Sequence, residues 1–478
     1  MNDTKIMFLM ARPDFIPELT GLMATPPAGM LSIAGYLRQS FPDIQMTLRD
    51  FGAENIPLED QLKAIAQYNP DVICLSARSF LYPATVKLAD AIKERFSSIK
   101  VIFGGQHATL MKEDEQYPDV FDCVVFGEGE QAVAELIKKY IQGISWPQKY
   151  QTDFLKEISH DYAWDILESA KYYKRTYTPF YTDPIGSVVW SRGCPFNCFF
   201  CSNPAMWKGS KPRVRYRTPE SVANELEFIE KHYHVKRVFV HDNTLNANVE
   251  KLQSICEEII RRKIGIKWGA AGMRAESRLN PEILFPLLWK AGCRYISFGI
   301  ESGDTEVLRN VGRTVSLREI EQALLFARKY GFKTSCGFTI GHIWVDKDNN
   351  IDGETEEQIK KTIRYIKYLL DKGLLWTYRT YVITPNRGSA LYHAAIDHGL
   401  LSQKELDLLN RHYKSKPILE HPHLSRKTIL KYHKEAYQLM VLNPKYVWGL
   451  LKGVRSIADF LGLARTGLFA LKNYLLTN

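Results

Sequence analysis

Regular alternation of apolar strands with helical segments is the feature that most constrains the fold. Short apolar runs such as KIMFLMA, VICLSA and VIFGG are separated by helical stretches over the first 140 residues, and a second alternating series begins near residue 185. Strands that alternate with helices form parallel sheets covered by helices. The pattern therefore predicts an α/β chain with two successive sheets.

The first series predicts a doubly wound, Rossmann-like domain over residues 1–145. Ligands of such sheets bind beyond the carboxyl ends of the strands. We expect the loops at residues 26–29, 76–82, 104–109 and 127–130 to form one rim there. The pattern then loses its regularity, which indicates a linker over residues 146–184.

The second series predicts a partial barrel of six strand-helix units, a (β/α)6 relative of the TIM barrel, over residues 185–400. Its strands read SVVWSRG, RVFVHDN, IKWGAAG, YISFGIES, KTSCGFTIG and TYRTYVITP. The chemistry of such barrels lies at the carboxyl ends of the strands. The polar insertion at residues 345–357 is expected to be an exposed loop, and residues 401–478 a helical region.

Composition limits the compartment and the partners. The chain has 478 residues, a formal charge of +10 and eight cysteines, too few for a disulfide scaffold of this length. We expect a cytoplasmic protein, because no signal peptide and no apolar run of roughly 18 residues is present. The positive charge suits an acidic partner, but it is spread thinly along the chain.

The strongest chemical signal is the segment SRGCPFNCFFCSNP, in which Cys194, Cys198 and Cys201 directly follow a predicted strand. Thiolates are the ligands of iron-sulfur clusters. Three of them on one loop predict a four-iron four-sulfur cluster whose fourth iron is open. A zinc site would need a second cysteine pair, which the sequence lacks, and a chance group of structural cysteines is the remaining alternative.

This segment resembles the radical S-adenosylmethionine superfamily, and the resemblance extends to about residue 401. It implies that S-adenosylmethionine chelates the open iron and is cleaved to a 5′-deoxyadenosyl radical. Phe200 matches an aromatic position beside the adenine, and Glu301 and Ser302 match a segment that meets the ribose or methionine part. A helix N-cap is the alternative for Ser302.

Further segments match the same family. Arg274 is expected to pair with the methionine carboxylate, with a structural arginine as the alternative. Asp242 and Asn243 resemble a polar pair that ends the second barrel strand. Members of this family usually have a glycine-proline pair ahead of the insertion, but this sequence has Gly341-His342. The resemblance therefore does not predict the shape of that loop.

The first domain resembles the cobalamin-binding module found ahead of such barrels, through PPAGMLSIAGYLR, FGGQHAT and FGEGE. The resemblance implies that Gly104, Gly105 and His107 line a channel for the nucleotide tail. The neighbouring edge would be formed by Gly127, Glu128 and Gly129. The loop that donates a histidine to cobalt is missing, since residues 50–53 read DFGA, and a domain that no longer binds a corrinoid is the alternative.

The resemblance implies a cobalamin-dependent methyltransferase that acts on an unactivated carbon. The alternative is an oxidative cyclase or carbon-carbon bond-forming enzyme with the same domain order. A flavodoxin or ferredoxin would supply electrons. Nucleic acid is not expected as a partner, because the additional cysteine triplet of the transfer-RNA methylthiolating enzymes is absent.

The C-terminal residues 444–478 mix large apolar side chains with five basic ones. This mixture fits a helix lying on the inner face of a membrane, and a lipid-like or otherwise hydrophobic substrate would follow. A helix packed on the barrel is the alternative. The sequence names neither the substrate nor a catalytic acid or base.

Overall fold

The computed structural model describes residues 4–12, 25–113, 116–173, 185–276, 280–409, 417–444, 447–448, 451, 460 and 464. Its strands are β1 Lys5–Met10, β2 Gln45–Asp50, β3 Val72–Ser76, β4 Lys100–Gly104, β5 Cys123–Phe126, β6 Lys149–Gln151, β7 Ile185–Val188, β8 Ser191–Gly193, β9 Val214–Tyr216, β10 Arg237–Val240, β11 Lys267–Met273, β12 Cys293–Glu301, β13 Lys333–Ile340, β14 Ile343–Val345, β15 Ile351–Gly353 and β16 Thr377–Val382. Its helices are Ala28–Ser40, Phe51–Glu54, Leu58–Tyr68, Tyr82–Arg95, Gln106–Leu110, Glu130–Ile141, Asn203–Met206, Pro219–Tyr233, Val249–Arg261, Pro281–Lys290, Thr305–Asn310, Leu317–Lys329, Glu356–Asp371, Ala390–Asp397, Gln403–Leu409 and Arg426–Val441.

The first sheet is parallel and has the order β2-β1-β3-β4-β5-β6. Ile6 and Phe8 face one buried layer and Met7 and Leu9 the other, so helices cover both faces. The strand order reverses between β1 and β3, and sheets of this kind bind ligands beyond the carboxyl ends of the strands at that point. The predicted doubly wound fold is confirmed.

The segment 146–184 is more than a linker. Residues 149–151 pair with β5 as the edge strand of the first sheet. Two 3-10 turns, Trp164–Ile166 and Glu168–Tyr173, follow. The second is held to β2 by a hydrogen bond from the Tyr173 hydroxyl to Asp50 Oδ2 (2.8 Å). A three-residue edge strand is too short to give a periodic signal, and residues 174–184 lie outside the described part.

The second sheet is parallel in the order β7-β10-β11-β12-β13-β16, a six-stranded partial barrel in which neighbours in space are successive along the chain. The insertion at 345–357 is not simply a loop. It contains the turn and second strand of an antiparallel hairpin, β14–β15. Asp346 closes the turn by accepting hydrogen bonds from the backbone N–H groups of Asp348 and Asn350 (both 2.8 Å).

Candidate functional site: the cysteine loop and the domain junction

The cysteine loop begins directly after β8, which pairs with β9 as an antiparallel hairpin. Cys194 and Cys198 are buried and Cys201 is half-buried. In the thiol form, burial raises the pKa of Cys201 to about 11. No group of three or more acidic, histidine or cysteine side chains in the described part of the chain fits a single metal ion. A cluster spreads its thiolates over separate irons, and three thiols on one buried loop suit such a cluster.

Each of the three sulfur atoms has a polar group nearby. The Thr244 hydroxyl lies 3.3 Å from Cys194 Sγ, and the Asn203 backbone N–H donates to Cys201 Sγ (3.5 Å). Arg274 Nη1 donates to Cys198 Sγ (3.5 Å). Such donors favour thiolate over thiol. Thr244 was not identified from the sequence, where the polar segment after β10 was its only signal.

Arg274 lies against the cysteine loop. Its guanidinium is 3.5 Å from the centre of the Phe196 ring, and its Nε donates to Glu276 Oε1 (2.5 Å). Glu276 therefore occupies part of the Arg274 guanidinium, the group that was expected to bind a methionine carboxylate. That role for Arg274 stays a prediction, while its contact with the cluster loop is observed.

Glu301 and Ser302 have different environments. Glu301 ends β12 at a register shift, in the left-handed region (φ 76°), and its Oε2 accepts from Thr339 Oγ1 (3.1 Å). Ser302 is fully buried, 3.0 Å from Thr362 Oγ1, and accepts from the Asp304 backbone N–H (3.1 Å). Ser302 therefore shapes the turn into the next helix, and its contact with a cofactor stays a prediction.

Asp242 also forms hydrogen bonds within the protein. It is buried and accepts from the Trp190 backbone N–H (2.8 Å) and from the Ser191 hydroxyl (2.5 Å). Burial raises the pKa of Asp242 to about 6. Both oxygens anchor the start of β8, and the cofactor contact of Asp242 stays a prediction. Asn243 is exposed and donates to Asn203 Oδ1 (2.8 Å), at the rim of the cysteine loop.

The Gly341-His342 segment is fixed by a buried carboxyl. Glu354 accepts from the backbone N–H groups of Gly341 (2.7 Å) and His342 (3.2 Å). The His342 ring is fully buried, 5.5 Å from the Phe200 ring. The aromatic residue before Cys201 therefore packs against this turn, and Phe200 remains a candidate adenine neighbour.

Most of the predicted corrinoid-binding glycines are required by close packing within the domain. A side chain at Gly105 (φ 95°) would overlap Ser76 Oγ. At Gly129 a Cβ would lie 2.5 Å from Ile33 Cδ1, and at Gly104 it would lie 3.3 Å from the Val125 carbonyl. Gly127 differs: it has φ 75°, and the nearest atom to a Cβ would be 3.8 Å away. A Cβ there would meet only the Gln151 side chain at an ordinary contact distance, so close packing does not require this glycine, although its positive φ favours it.

His107 and the segment 50–53 do not offer a ligand to cobalt. His107 is buried, stacks on Tyr82 at 4.0 Å between ring centres, and lies 3.1 Å from Ser79 Oγ through Nδ1. It therefore packs within the domain, and its predicted place at a tail channel stays a prediction. Asp50 caps the short helix Phe51–Glu54 by accepting from the Ala53 backbone N–H (3.0 Å).

Glu128 belongs to an ion network that joins the two domains. Arg192, two residues before Cys194, donates to Glu128 Oε1 (2.7 Å) and to Glu130 Oε1 (2.6 Å). Arg215 on β9 donates to Glu128 Oε2 (2.7 Å). Charge and hydrogen bonds from Arg192 overcome burial and lower the pKa of Glu130 to about 2. Glu128 thus contacts the barrel, and its predicted contact with the corrinoid stays a prediction.

Comparison with known proteins agrees with this arrangement. The family model of the radical SAM superfamily matches residues 188–366, and that of the B12 binding domain matches residues 21–137. An uncharacterised methyltransferase of Pyrococcus horikoshii is 29% identical over 445 residues, 88% of each chain. An anaerobic magnesium-protoporphyrin IX monomethyl ester cyclase of Rubrivivax gelatinosus is 26% identical over 85% of this chain and 77% of its own. Hopanoid C-3 methylase of Methylococcus capsulatus is 28% identical over 66% of this chain and 61% of its own.

Solved structures share the fold. The radical S-adenosylmethionine methyltransferase TsrM from Kitasatospora setae superimposes with a TM-score of 0.63 at 14% identity, over 83% of this chain and 75% of its own. The cobalamin-dependent radical enzyme OxsB gives 0.64 at 14% identity, over 98% of this chain and 71% of its own. Since one family model covers strands β2 to β5 of the first sheet and the other covers the cysteine loop and strands β10 to β13 of the barrel, the chain belongs to the radical SAM superfamily and has a B12-binding domain ahead of its barrel.

Proposed function

We propose that the protein is a cobalamin-dependent methyltransferase that acts on an unactivated carbon of a hydrophobic or lipid-like substrate. The observation that carries the proposal is the ion network that fixes the cysteine loop to the B12-binding domain through Arg192. Because this network joins the cysteine loop to the B12-binding domain, we expect both cofactors to bind around one junction. When bound, the cluster and S-adenosylmethionine supply a radical that removes hydrogen from carbon, and cobalamin supplies the methyl group.

The chain's own residues bind and orient these groups. Cys194, Cys198 and Cys201 would hold the cluster, with Thr244 and Arg274 supporting the sulfur atoms. Glu301, at the end of β12, would hold a ribose or amino group through the carboxylate that accepts from Thr339. A flavodoxin or ferredoxin is the proposed source of electrons.

The lipid-like substrate is supported by the similarity to hopanoid C-3 methylase. The test is expression in a host fed methionine with a deuterated methyl group, followed by mass spectrometry of the lipid fraction. We expect a new species heavier by one labelled methyl group. The triple Ala variant of the three loop cysteines should abolish it, whereas Cys256→Ala, at a buried cysteine outside the loop, should retain it.

Oxidative cyclisation is the second candidate, favoured by the similarity to the magnesium-protoporphyrin ester cyclase. It predicts a product without an added methyl group. A new product that depends on the three cysteines but carries no labelled methyl group would therefore support cyclisation and contradict methyl transfer.

Cobalamin should bind with its benzimidazole displaced. Residues 50–53 contain no histidine, Asp50 is used as a helix cap, and His107 is packed against Tyr82. The absorption spectrum of the anaerobic holoenzyme should show the base-off form. A protein that fails to bind hydroxocobalamin at micromolar concentration would contradict this prediction.

Contact with the surface of an anionic membrane is proposed for the C-terminal segment. No helix within the described ranges has the length and apolar character needed to cross a bilayer. Leu442, Trp448, Leu451 and Phe460 have exposed side chains. The proposal rests on these exposed apolar side chains together with the basic residues of the same segment.

A further inference from the structure

The segment 192–219, which contains the cysteine loop, carries charge of one sign only. It has six basic residues and no acidic one. Three of the basic side chains are buried and paired with carboxylates from other parts of the chain, in the ion pairs Arg192–Glu128, Arg215–Glu128 and Arg217–Glu225. These pairs compensate the buried half of the positive charge.

The other three basic side chains, Lys208, Lys211 and Arg213, are exposed. None of them takes part in an ion pair with a carboxylate of the described ranges. Arg213 instead donates to the Pro195 carbonyl (3.3 Å) and to Asn197 Oδ1 (2.8 Å), both in the cysteine loop. Exposed charges without a fixed partner contribute little to stability, but they give the surface a positive potential that attracts acidic molecules.

These side chains border the place where the cysteine loop comes closest to solvent. Asn197 and Gly312 are both exposed. The Gly312 carbonyl oxygen lies 4.0 Å from Cys198 Sγ. A Cβ on Gly312 would lie 3.0 Å from the Asn197 backbone oxygen, so the two segments approach closely. A single residue, Gly312, therefore both contacts a sulfur atom of the cluster loop and reaches the surface.

Arg309 lies on the other side of this surface, since its carbonyl accepts from the Gly312 N–H (3.0 Å) and its side chain is 77% exposed. Glu306 is 4.0 Å from Arg309 but is itself 59% exposed, and such a pair is weak. Residues 153–157, which border the surface through an aromatic contact, add two acidic groups and one basic group. The surface therefore keeps a positive excess. We call its four exposed cations the basic patch: Lys208, Lys211, Arg213 and Arg309.

We propose that the basic patch is the docking surface for an acidic one-electron donor protein of the flavodoxin or ferredoxin kind. The inference rests on the proposed function, since it names where the electron source of that reaction binds. One electron passes from the reduced donor to the cluster behind Cys198, and no bond forms or breaks. Redox encounters bury little surface and depend on complementary charge. The position over a cluster sulfur favours a redox protein over nucleic acid as the partner.

Calorimetry on the anaerobic holoenzyme, loaded with cluster, cobalamin and S-adenosylmethionine, tests this inference. The probe is an oxidised, acidic bacterial flavodoxin, which can bind but cannot deliver an electron. We expect binding to weaken about tenfold or more between low salt and about 0.5 M salt, because salt screens the attraction between exposed charges. This measurement needs no variant.

A triple variant locates the surface. It neutralises three cations of the basic patch and leaves Arg213 in place, because Arg213 also holds the cysteine loop. The substitutions are Lys208→Gln, Lys211→Gln and Arg309→Gln. Flavodoxin binding should weaken about tenfold or more, as expected when complementary charges are removed from a docking surface. Iron content should match that of wild type, since all three side chains are exposed.

A matched control removes the same charge elsewhere. Its three exposed lysines lie around the amino-terminal ends of β10 and β11, away from the cysteine loop. The substitutions are Lys236→Gln, Lys263→Gln and Lys267→Gln. This variant has the same net charge as the patch variant and should bind flavodoxin like wild type.

Electron delivery provides a second measurement. With reduced flavodoxin, the patch variant should release 5′-deoxyadenosine from S-adenosylmethionine about tenfold more slowly than wild type at limiting donor, because its encounter rate falls. With reduced methyl viologen, a small cation that the basic patch does not attract, both proteins should react alike. A wild type that releases no 5′-deoxyadenosine with methyl viologen would contradict the proposed radical function, while flavodoxin binding would still test the docking surface.

Three results would overturn the proposal: flavodoxin binding that is insensitive to salt, wild-type affinity in the patch variant, or an equal loss in the control variant. Single-stranded RNA that binds the holoenzyme more tightly than flavodoxin does, and that loses this binding in the patch variant, would assign the basic patch to nucleic acid instead.

Discussion

Glu354 is a carboxyl buried without a cationic partner among its contacts in the described part of the chain. It accepts two backbone N–H groups at the Gly341-His342 turn. Burial outweighs these bonds and raises the pKa of Glu354 to about 8, from an ordinary value of 4.5. The folded protein therefore keeps this proton over a pH range in which the unfolded chain releases it.

We predict that this proton makes the folded protein lose stability as the pH rises. A group whose pKa is raised on folding stabilises the fold fully below its unfolded pKa, and this contribution falls between about pH 4.5 and 8. Glu354→Gln keeps an acceptor but cannot titrate, so the melting temperature should depend less on pH in this window. Glu282→Gln, at an exposed glutamate, is the control and should match the wild-type profile.

For individual polar residues, the sequence predicts the position along the chain but not the partner of the side chain. The segments around Asp242, Ser302 and Glu128 indicated correctly that these residues follow strands near the carboxyl-terminal edges of the two sheets. Their partners are distant in the chain: Glu128 meets Arg192, and Ser302 meets Thr362. Spacing along a strand end does not determine whether a side chain faces a ligand or another part of the protein.

The hairpin β8–β9 presents the cysteine loop, and one glycine governs its geometry. Gly193 immediately precedes Cys194 and has φ 97°, and a Cβ there would overlap the Arg213 backbone oxygen. Gly209, in the same loop region, has a similar φ of 89° but open space around its Cβ position. An alanine at Gly193 would introduce both a steric overlap and backbone strain, whereas an alanine at Gly209 would introduce only the strain. Comparing the two substitutions therefore distinguishes the two effects.

We predict that Gly193→Ala releases the cluster loop, because β9 must move to admit the methyl group. Iron content after anaerobic reconstitution should fall well below that of wild type. Gly209→Ala carries a comparable left-handed strain of about 1–2 kcal/mol and should retain its iron. Similar iron content in both variants would show that close packing at Gly193 does not position the cysteines.

Elements with long apolar runs were predictable, and short ones were not. The strands β3 and β4 are buried on both faces, which gives a continuous apolar sequence. β6 and β15 have three residues each and exposed or half-buried side chains. Their strand character comes from pairing with β5 and β14, a tertiary contact that local sequence does not encode.

At the scale of the whole molecule, Arg192 connects the two domains. Removing one partner of a buried ion pair leaves the other charges uncompensated, at a cost of about 3–5 kcal/mol. We predict that Arg192→Met lowers the free energy of unfolding by this amount in chemical denaturation. Arg38→Met removes an exposed arginine paired with Asp165 and should cost about 0–1 kcal/mol. A similar small cost for both variants would contradict a central role for the network.

The C-terminal segment is the part of the molecule for which we propose contact with a membrane surface. Its basic residues Lys445, Lys452, Arg455, Arg465 and Lys472 lie outside the described residues, as does most of the segment after residue 448. Of the apolar side chains that are described there, Trp448 and Phe460 are exposed, to 60% and 55%. Large exposed apolar side chains mixed with basic residues favour binding at a lipid interface.

We predict that full-length protein floats with anionic liposomes, whereas a version ending at Asn443 does not. Each basic side chain near a charged leaflet contributes on the order of 1 kcal/mol, so neutral liposomes should bind far less. The double variant Trp448→Glu and Phe460→Glu should lose flotation because it removes the inserting groups. Ile144→Glu with Ile283→Glu changes two exposed apolar residues elsewhere and should float like wild type. Equal flotation of all versions, or indifference to lipid charge, would rule out the membrane contact and weaken the argument for a lipid-like substrate.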